Sequence, residues 1–261
     1  MGSRETTSLR TCDVAAKGFF CDVAAKGFFC DVAKIRCKTV VLIGRFAKDQ
    51  EQSSVSINAL PEEITHNFHP EGPFLANLCD LPPAEAEEIL QRHRDLGRRT
   101  IKANYLRRRM DTETWLIGER QRLLGNTRRN RPIYFFLGDF AHGKDPSRPC
   151  SLVMPLGVFS PSVLTFTFPD SMASLPIATL ESHRLERRPY HGKVFTLGEI
   201  RRVVAEFGLP GEHWRSDYLR RFDRFIEVQV WDDRPILEFF GRTGSATLFA
   251  GDNESETSQV S

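Results

Sequence analysis

The sequence predicts an α+β fold, in which N-terminal helices are followed by a mixed or antiparallel sheet with one late capped helix. Three observations carry this. Charged segments between Asp80 and Leu124 have the texture of helices, and short aromatic or β-branched runs fill Pro132 to Phe168. After a capped helix, Arg224 to Trp231 then alternates between apolar and polar residues.

The first helix is expected to start in Asp80-Leu81-Pro82-Pro83-Ala84-Glu85-Ala86-Glu87-Glu88. Prolines suit a first turn, and the acids complement the positive end of the helix dipole. Gly97 offers its left-handed stop. A second helix is expected over Lys102–Leu124, closing at Gly125-Asn126. Three strands follow: Pro132–Leu137, Ser151–Leu156 and Val163–Phe168, separated by Gly and Pro clusters. Thr196-Leu197-Gly198-Glu199 is a capping box, with Phe195 and Ile200 placed as a hydrophobic staple. Ile200, Val203, Val204 and Phe207 give that helix one apolar face, and Gly208 with Pro210 ends it. Arg224–Trp231 predicts a strand, and Ile236–Phe240 a further one.

These elements delimit a single domain over 59–241, large enough to bury about 70% of its unfolded surface. Residues 242–261 form a polar tail, expected to be disordered. Residues 1–58 hold a nine-residue unit, Cys12-Asp13-Val14-Ala15-Ala16-Lys17-Gly18-Phe19-Phe20, repeated without error as 21–29 and begun again at Cys30. Two packing environments rarely select identical side chains, so the repeat indicates a recent duplication in a poorly ordered segment. A buried strand is conceivable at Lys38–Phe46, before a polar linker.

Four of the six cysteines lie at spacings of 9, 9 and 7 in this region. Structural zinc sites pair ligands two to four residues apart, so no metal site is expected. There is no apolar run near 18 residues, hence no membrane span, and no secretion signal at the start. A cytoplasmic protein with reduced thiols is expected.

Net charge is only +2, but its distribution is uneven. Glu62–Glu88 holds seven acids and no Lys or Arg, while Arg92–Arg131 holds thirteen basic residues against four acids. Such a block can hold nucleic acid. It can equally be a solvated helix face that pairs with the acidic segment before it, because Arg107, Arg108 and Arg109 cannot all point one way at 100° per residue.

The sharpest candidate for chemistry is Phe225-Ile226-Glu227-Val228-Gln229-Val230-Trp231. Period two puts Ile226, Val228 and Val230 on one face and Phe225, Glu227, Gln229 and Trp231 on the other. A carboxylate and an amide framed by aromatics suit the floor of a cleft. An outward face, with Trp231 packed on a neighbour, satisfies the same pattern. A second candidate is Phe168-Pro169-Asp170-Ser171-Met172-Ala173-Ser174, whose Asp170, Ser171 and Ser174 either bind ligand hydroxyls or cap a following helix. His66 and His69 are weaker ligand candidates. Tyr134, Asp139, His142, Tyr190 and His191 are polar residues at strand edges and loops. Phosphate-binding Gly loops, nucleophile elbows and metalloprotease helices are absent from the sequence.

From Arg131 to Asp233 the order of elements resembles ADP-ribosyltransferases of the DNA-modifying toxin type. The likeness rests on Pro132-Ile133-Tyr134-Phe135-Phe136, Leu152-Val153-Met154-Pro155-Leu156, Leu164-Thr165-Phe166-Thr167-Phe168-Pro169-Asp170 and Phe225-Ile226-Glu227-Val228. It implies NAD as co-substrate, with Glu227 orienting the nicotinamide ribose and Tyr134 stacking on nicotinamide. The family's opening strand, with His or Arg followed by Thr, is matched only by Ile64-Thr65-His66, in the wrong order. Two alternatives accompany this: a non-catalytic binding or regulatory domain, and a Mg²⁺-dependent nuclease in which Asp170 and Glu227 are the oxygen ligands.

Overall fold

Five strands form one antiparallel sheet in the computed structural model, which describes residues 59–69, 74–97, 100–138, 148, 150–211 and 217–242. They are β1 (Glu63–Phe68), β2 (Ile133–Leu137), β3 (Cys150–Pro155), β4 (Leu164–Thr167) and β5 (Glu227–Val230). Their spatial order is β3-β1-β2-β5-β4. The helices are α1 (Pro83–Asp95), α2 (Tyr105–Leu124), α3 (Ser171–Thr179), α4 (Leu197–Phe207) and α5 (Arg234–Arg242). The repeat, the strand expected at Lys38–Phe46, Asp139, His142 and the tail lie outside the described residues. Among the described residues no helix is long and apolar enough to cross a membrane.

The α+β class holds, and the sheet is antiparallel rather than mixed. Two details depart from expectation. A strand, β1, precedes α1, so helices do not come first among the described residues. Its polar residues find partners inside the sheet: Thr65 Oγ1 donates to the Gly138 carbonyl at 2.6 Å, and Ser151 Oγ donates to Asn67 Oδ1 at 2.6 Å. Ile236–Phe240 lies in helix α5, not in a strand. Buried Ile236 and Phe239 are three residues apart, which is helical spacing, and the Ile236 and Leu237 amides both bond to the Asp233 carbonyl. Helix α3 follows β4 directly, capped by Asp170 as one reading of that loop expects, its carboxylate accepting from the Ala173 amide at 3.0 Å.

The capping box behaves as its residues predict. The Thr196 amide donates to Glu199 Oε2 at 2.8 Å, and the Glu199 amide donates to Thr196 Oγ1 at 3.3 Å. Such a cap contributes roughly 0.5–2 kcal/mol. It fixes the entry of α4, whose buried Ile200 and Val204 lie on the core side, against β4.

The pleat gives the sheet two unlike faces. One is apolar: Ile64, Met154, Phe135, Val228 and Phe166 are all fully buried there. The other carries Thr65, Asn67, Tyr134, Phe136, Glu227, Gln229, Thr165 and Thr167 in matched cross-strand register. Helix α2 covers half of this polar face, where its Leu116 packs with Trp231 and Val194. The half nearer Phe136 and Glu227 is left to a cleft.

Ion pairs tie the connections together. Arg129 reaches Asp80 at 2.9 Å and Asp233 at 3.2 Å, and its amide donates to the Trp231 carbonyl. Arg94 meets Glu87 at 2.6 Å, and Arg92 meets Glu88 at 3.4 Å. Several arginines of the basic block therefore pair with the acidic segment that precedes it.

Candidate functional site

Glu227 is carried on β5, between β2 and β4, so both edges of its strand are hydrogen-bonded and its backbone cannot drift. Its side chain is buried yet borders a cleft of about 580 Å³. Oε1 accepts from Gln229 Nε2 at 2.9 Å and from the Ser171 amide, at the start of α3, at 3.3 Å. Burial pushes the carboxyl above its usual range, which the Arg109 guanidinium opposes and the Asp170 carboxylate reinforces. The cleft thus has a buried acid in its wall, fixed in one rotamer.

Tyr134, on the adjacent strand, also borders the cleft. Its phenol is already engaged, donating to Glu113 Oε1 at 2.6 Å. The Arg109 guanidinium carbon lies 3.8 Å from the ring centroid, so one ring face is covered. Burial drives the Tyr134 pKa well above its ordinary value. The nicotinamide-stacking role inferred for Tyr134 therefore has only the remaining ring face to use.

Asp170 and Ser171 sit where β4 leads into α3. Asp170 borders the cleft and caps the helix, so the capping and ligand roles weighed for it are compatible. Ser171 is fully buried and offers Glu227 its backbone amide. Ser174 is likewise inward, accepting from the Gly192 amide at 2.8 Å.

Gln229 and Trp231 do share a face with Glu227, but they do not line the cleft. Expected as ligand-binding residues, they lie buried away from its wall. Gln229 Nε2 bonds Thr167 at 3.0 Å as well as Glu227, and its Oε1 accepts from Thr165 at 2.9 Å. The Trp231 indole N–H donates to Thr165 Oγ1 at 2.8 Å. The physical reason is the position of α2, whose apolar Leu116 closes that half of the face. A period-two pattern identifies a face but not what covers it.

His66 borders the cleft, with its ring packed on Phe68, Phe74 and Phe135. Nδ1 lies 2.8 Å from the Tyr134 carbonyl, which fixes the proton on that nitrogen and leaves Nε2 as an unpartnered acceptor. Burial lowers its pKa to about 4, so the ring is neutral at pH 7. His69 also lines the cleft. Tyr190 and His191 belong to a separate buried knot on Asp223, at 2.6 and 3.1 Å. Burial raises the Asp223 carboxyl, but those two bonds and Arg220 outweigh it and hold it below its usual range. Both His191 nitrogens are occupied, because Nδ1 accepts from the Arg188 amide.

The sequence left Arg109 and Glu113 unassigned, although their i, i+4 spacing on a helix was a usable signal. Lys102, Arg108, Arg109 and Arg148 line the cleft together with Asp170 and Glu227. Desolvation works against the Arg109 charge, but Tyr134, Tyr105, Glu113 and Glu227 more than restore it. Cations and carboxylates therefore share one cleft, with Arg109 near enough to Glu227 to oppose the rise in its pKa. Among the described residues no three His, Cys, Asp or Glu side chains gather as a metal site, and Cys79 and Cys150 are buried. No protein-family model, curated protein or solved structure matches the chain.

Proposed function

We propose that this chain is a NAD-dependent ADP-ribosyltransferase with Glu227 as its essential acid. The observation that carries the proposal is the lining of the cleft. Its wall carries the buried Glu227 carboxylate, the aromatic Tyr134 and Phe136, and the cations Lys102, Arg108 and Arg109, the last laid on the Tyr134 ring. NAD has matching parts, with a planar cationic ring at one end and a diphosphate beyond the ribose. NAD supplies an ADP-ribosyl group by breaking the bond between ribose C1′ and the nicotinamide nitrogen, the nicotinamide leaving neutral, while C1′ bonds to a nucleophilic oxygen or nitrogen of the acceptor, which releases its proton to solvent.

As positive charge grows on the ribose, an ionised Glu227 fixed by Ser171 and Gln229 stabilises it without first reorganising. The guanidinium of Arg109 and the cations beside it hold the diphosphate in place. Glu227 must be ionised to act, so activity rises with pH through its raised pKa. The acceptor is the open variable, and nucleic acid is the first class to try given the basic α2 region.

Incubating the protein with labelled NAD and, in parallel arms, single-stranded DNA, RNA and a mixed protein acceptor tests this. Nicotinamide release with label on one acceptor, both lost in Glu227→Gln, is the expected result. No nicotinamide release and no NAD binding at millimolar concentration overturns the proposal.

A further inference from the structure

Glu113 does not line the cleft, yet it joins the two cleft residues Tyr134 and Arg109. It lies on α2, 1% exposed. Its Oε1 takes two hydrogen bonds and one ion pair, from three places in the fold. These are Asn77 Nδ2 at 2.8 Å, the Tyr134 phenol at 2.6 Å and Arg109 Nε at 3.3 Å. Asn77 is itself held by the Pro132 carbonyl at 3.0 Å, just before β2. Its other oxygen, Oε2, is buried with no hydrogen-bond partner.

This is a costly way to build a joint. A buried carboxylate with one oxygen unsatisfied loses solvation that nothing returns at that atom. A neutral glutamine oxygen would accept from Asn77 and Tyr134 equally well. What only the charge provides is a hold on Arg109. With Nε bound to Glu113 and its plane laid on the Tyr134 ring, the guanidinium has few rotamers left. Arg109 borders the cleft, so the fork of its two terminal nitrogens can meet an anion there bidentately.

We infer that Glu113 is a positioning residue that presents the Arg109 fork to the anionic part of the substrate, an inference that rests on the NAD reading. Glu113 touches no ligand. It acts by removing the freedom Arg109 would otherwise lose on binding. Its effect therefore falls on affinity for the diphosphate and not on the bond-breaking step, which belongs to Glu227.

The full chain and its Glu113→Gln variant test this through nicotinamide-release kinetics, NAD titration calorimetry and competition by inorganic pyrophosphate. The expected result is a KM for NAD raised roughly tenfold with kcat within about twofold, and pyrophosphate inhibition weakened in parallel. Inhibition by nicotinamide alone stays as in the wild type, which a general loosening of the fold would not allow. Unchanged KM and unchanged pyrophosphate inhibition overturn the inference. A fall in kcat with KM intact overturns it too. If Glu113→Gln does not fold, Glu113→Asp serves, since it keeps the charge but withdraws it from Arg109 by one methylene. Weaker pyrophosphate inhibition then supports the inference, and wild-type inhibition overturns it. A wild-type protein that neither binds nor cleaves NAD refutes the proposed function first, and so separates the two failures.

Discussion

Acid should unfold this protein through His66, and His66→Phe should remove that sensitivity. The native ring is enclosed by Phe68, Phe74 and Phe135 and resists protonation down to about pH 4, whereas an unfolded histidine accepts a proton near 6.5. The gap of about 2.5 pH units corresponds to roughly 3 kcal/mol. The direction follows from which state binds the proton. Between pH 6.5 and 4 the unfolded chain holds it and the native chain does not. The contribution is therefore complete above pH 6.5, declines as pH falls toward 4, and is flat below. Urea unfolding from pH 4 to 7.5 measures it. Phenylalanine fills the same aromatic pocket but leaves the Tyr134 carbonyl without its donor, which adds a pH-independent offset. The stability difference between wild type and variant should shift by about 3 kcal/mol across the window. Parallel curves for the two proteins would refute the reasoning.

Two further outcomes concern stability. Glu227→Gln should raise the melting temperature at pH 7–8, because the native carboxyl is held above its usual pKa by burial. A raised acid contributes fully below its unfolded pKa and loses that contribution as pH rises through the folded one. The gain should vanish near pH 4, and a lower melting temperature at pH 8 counts against the burial argument. Gly192→Ala should destabilise by about 2–4 kcal/mol in chemical denaturation. Its φ is +70°, and an added Cβ would stand 2.3 Å from the Ala178 Cβ. Adding Ala178→Gly should recover only the steric part, and full recovery would exclude the backbone contribution.

The elements legible in the sequence were those whose own residues decide them. The capping box at Thr196 and the aromatic run at Ile133–Leu137 needed no tertiary knowledge. Strand β1 was obscured because Thr65 and Asn67 are polar, and only their partners on neighbouring segments make them suitable for an interior strand. Helix α5 was hidden by its brevity: five residues from Ile236 include four apolar ones, and such a run does not distinguish the two periods. For the site, alternation correctly grouped Glu227 with Gln229 and Trp231 on one face. Which part of that face stays open depends on where α2 lands. That is a property of packing between segments about a hundred residues apart, and no local pattern records it.

The chain of bonds from Trp231 through Thr165 and Gln229 to Glu227, with Thr167 as a branch on Gln229, has a consequence for how the protein can change over generations. Each member donates to or accepts from the next, so altering one strands its neighbour in a dry interior. Variation along this line must come in compensated sets, and a lineage that abandons the acid has reason to exchange the threonines and the amide with it.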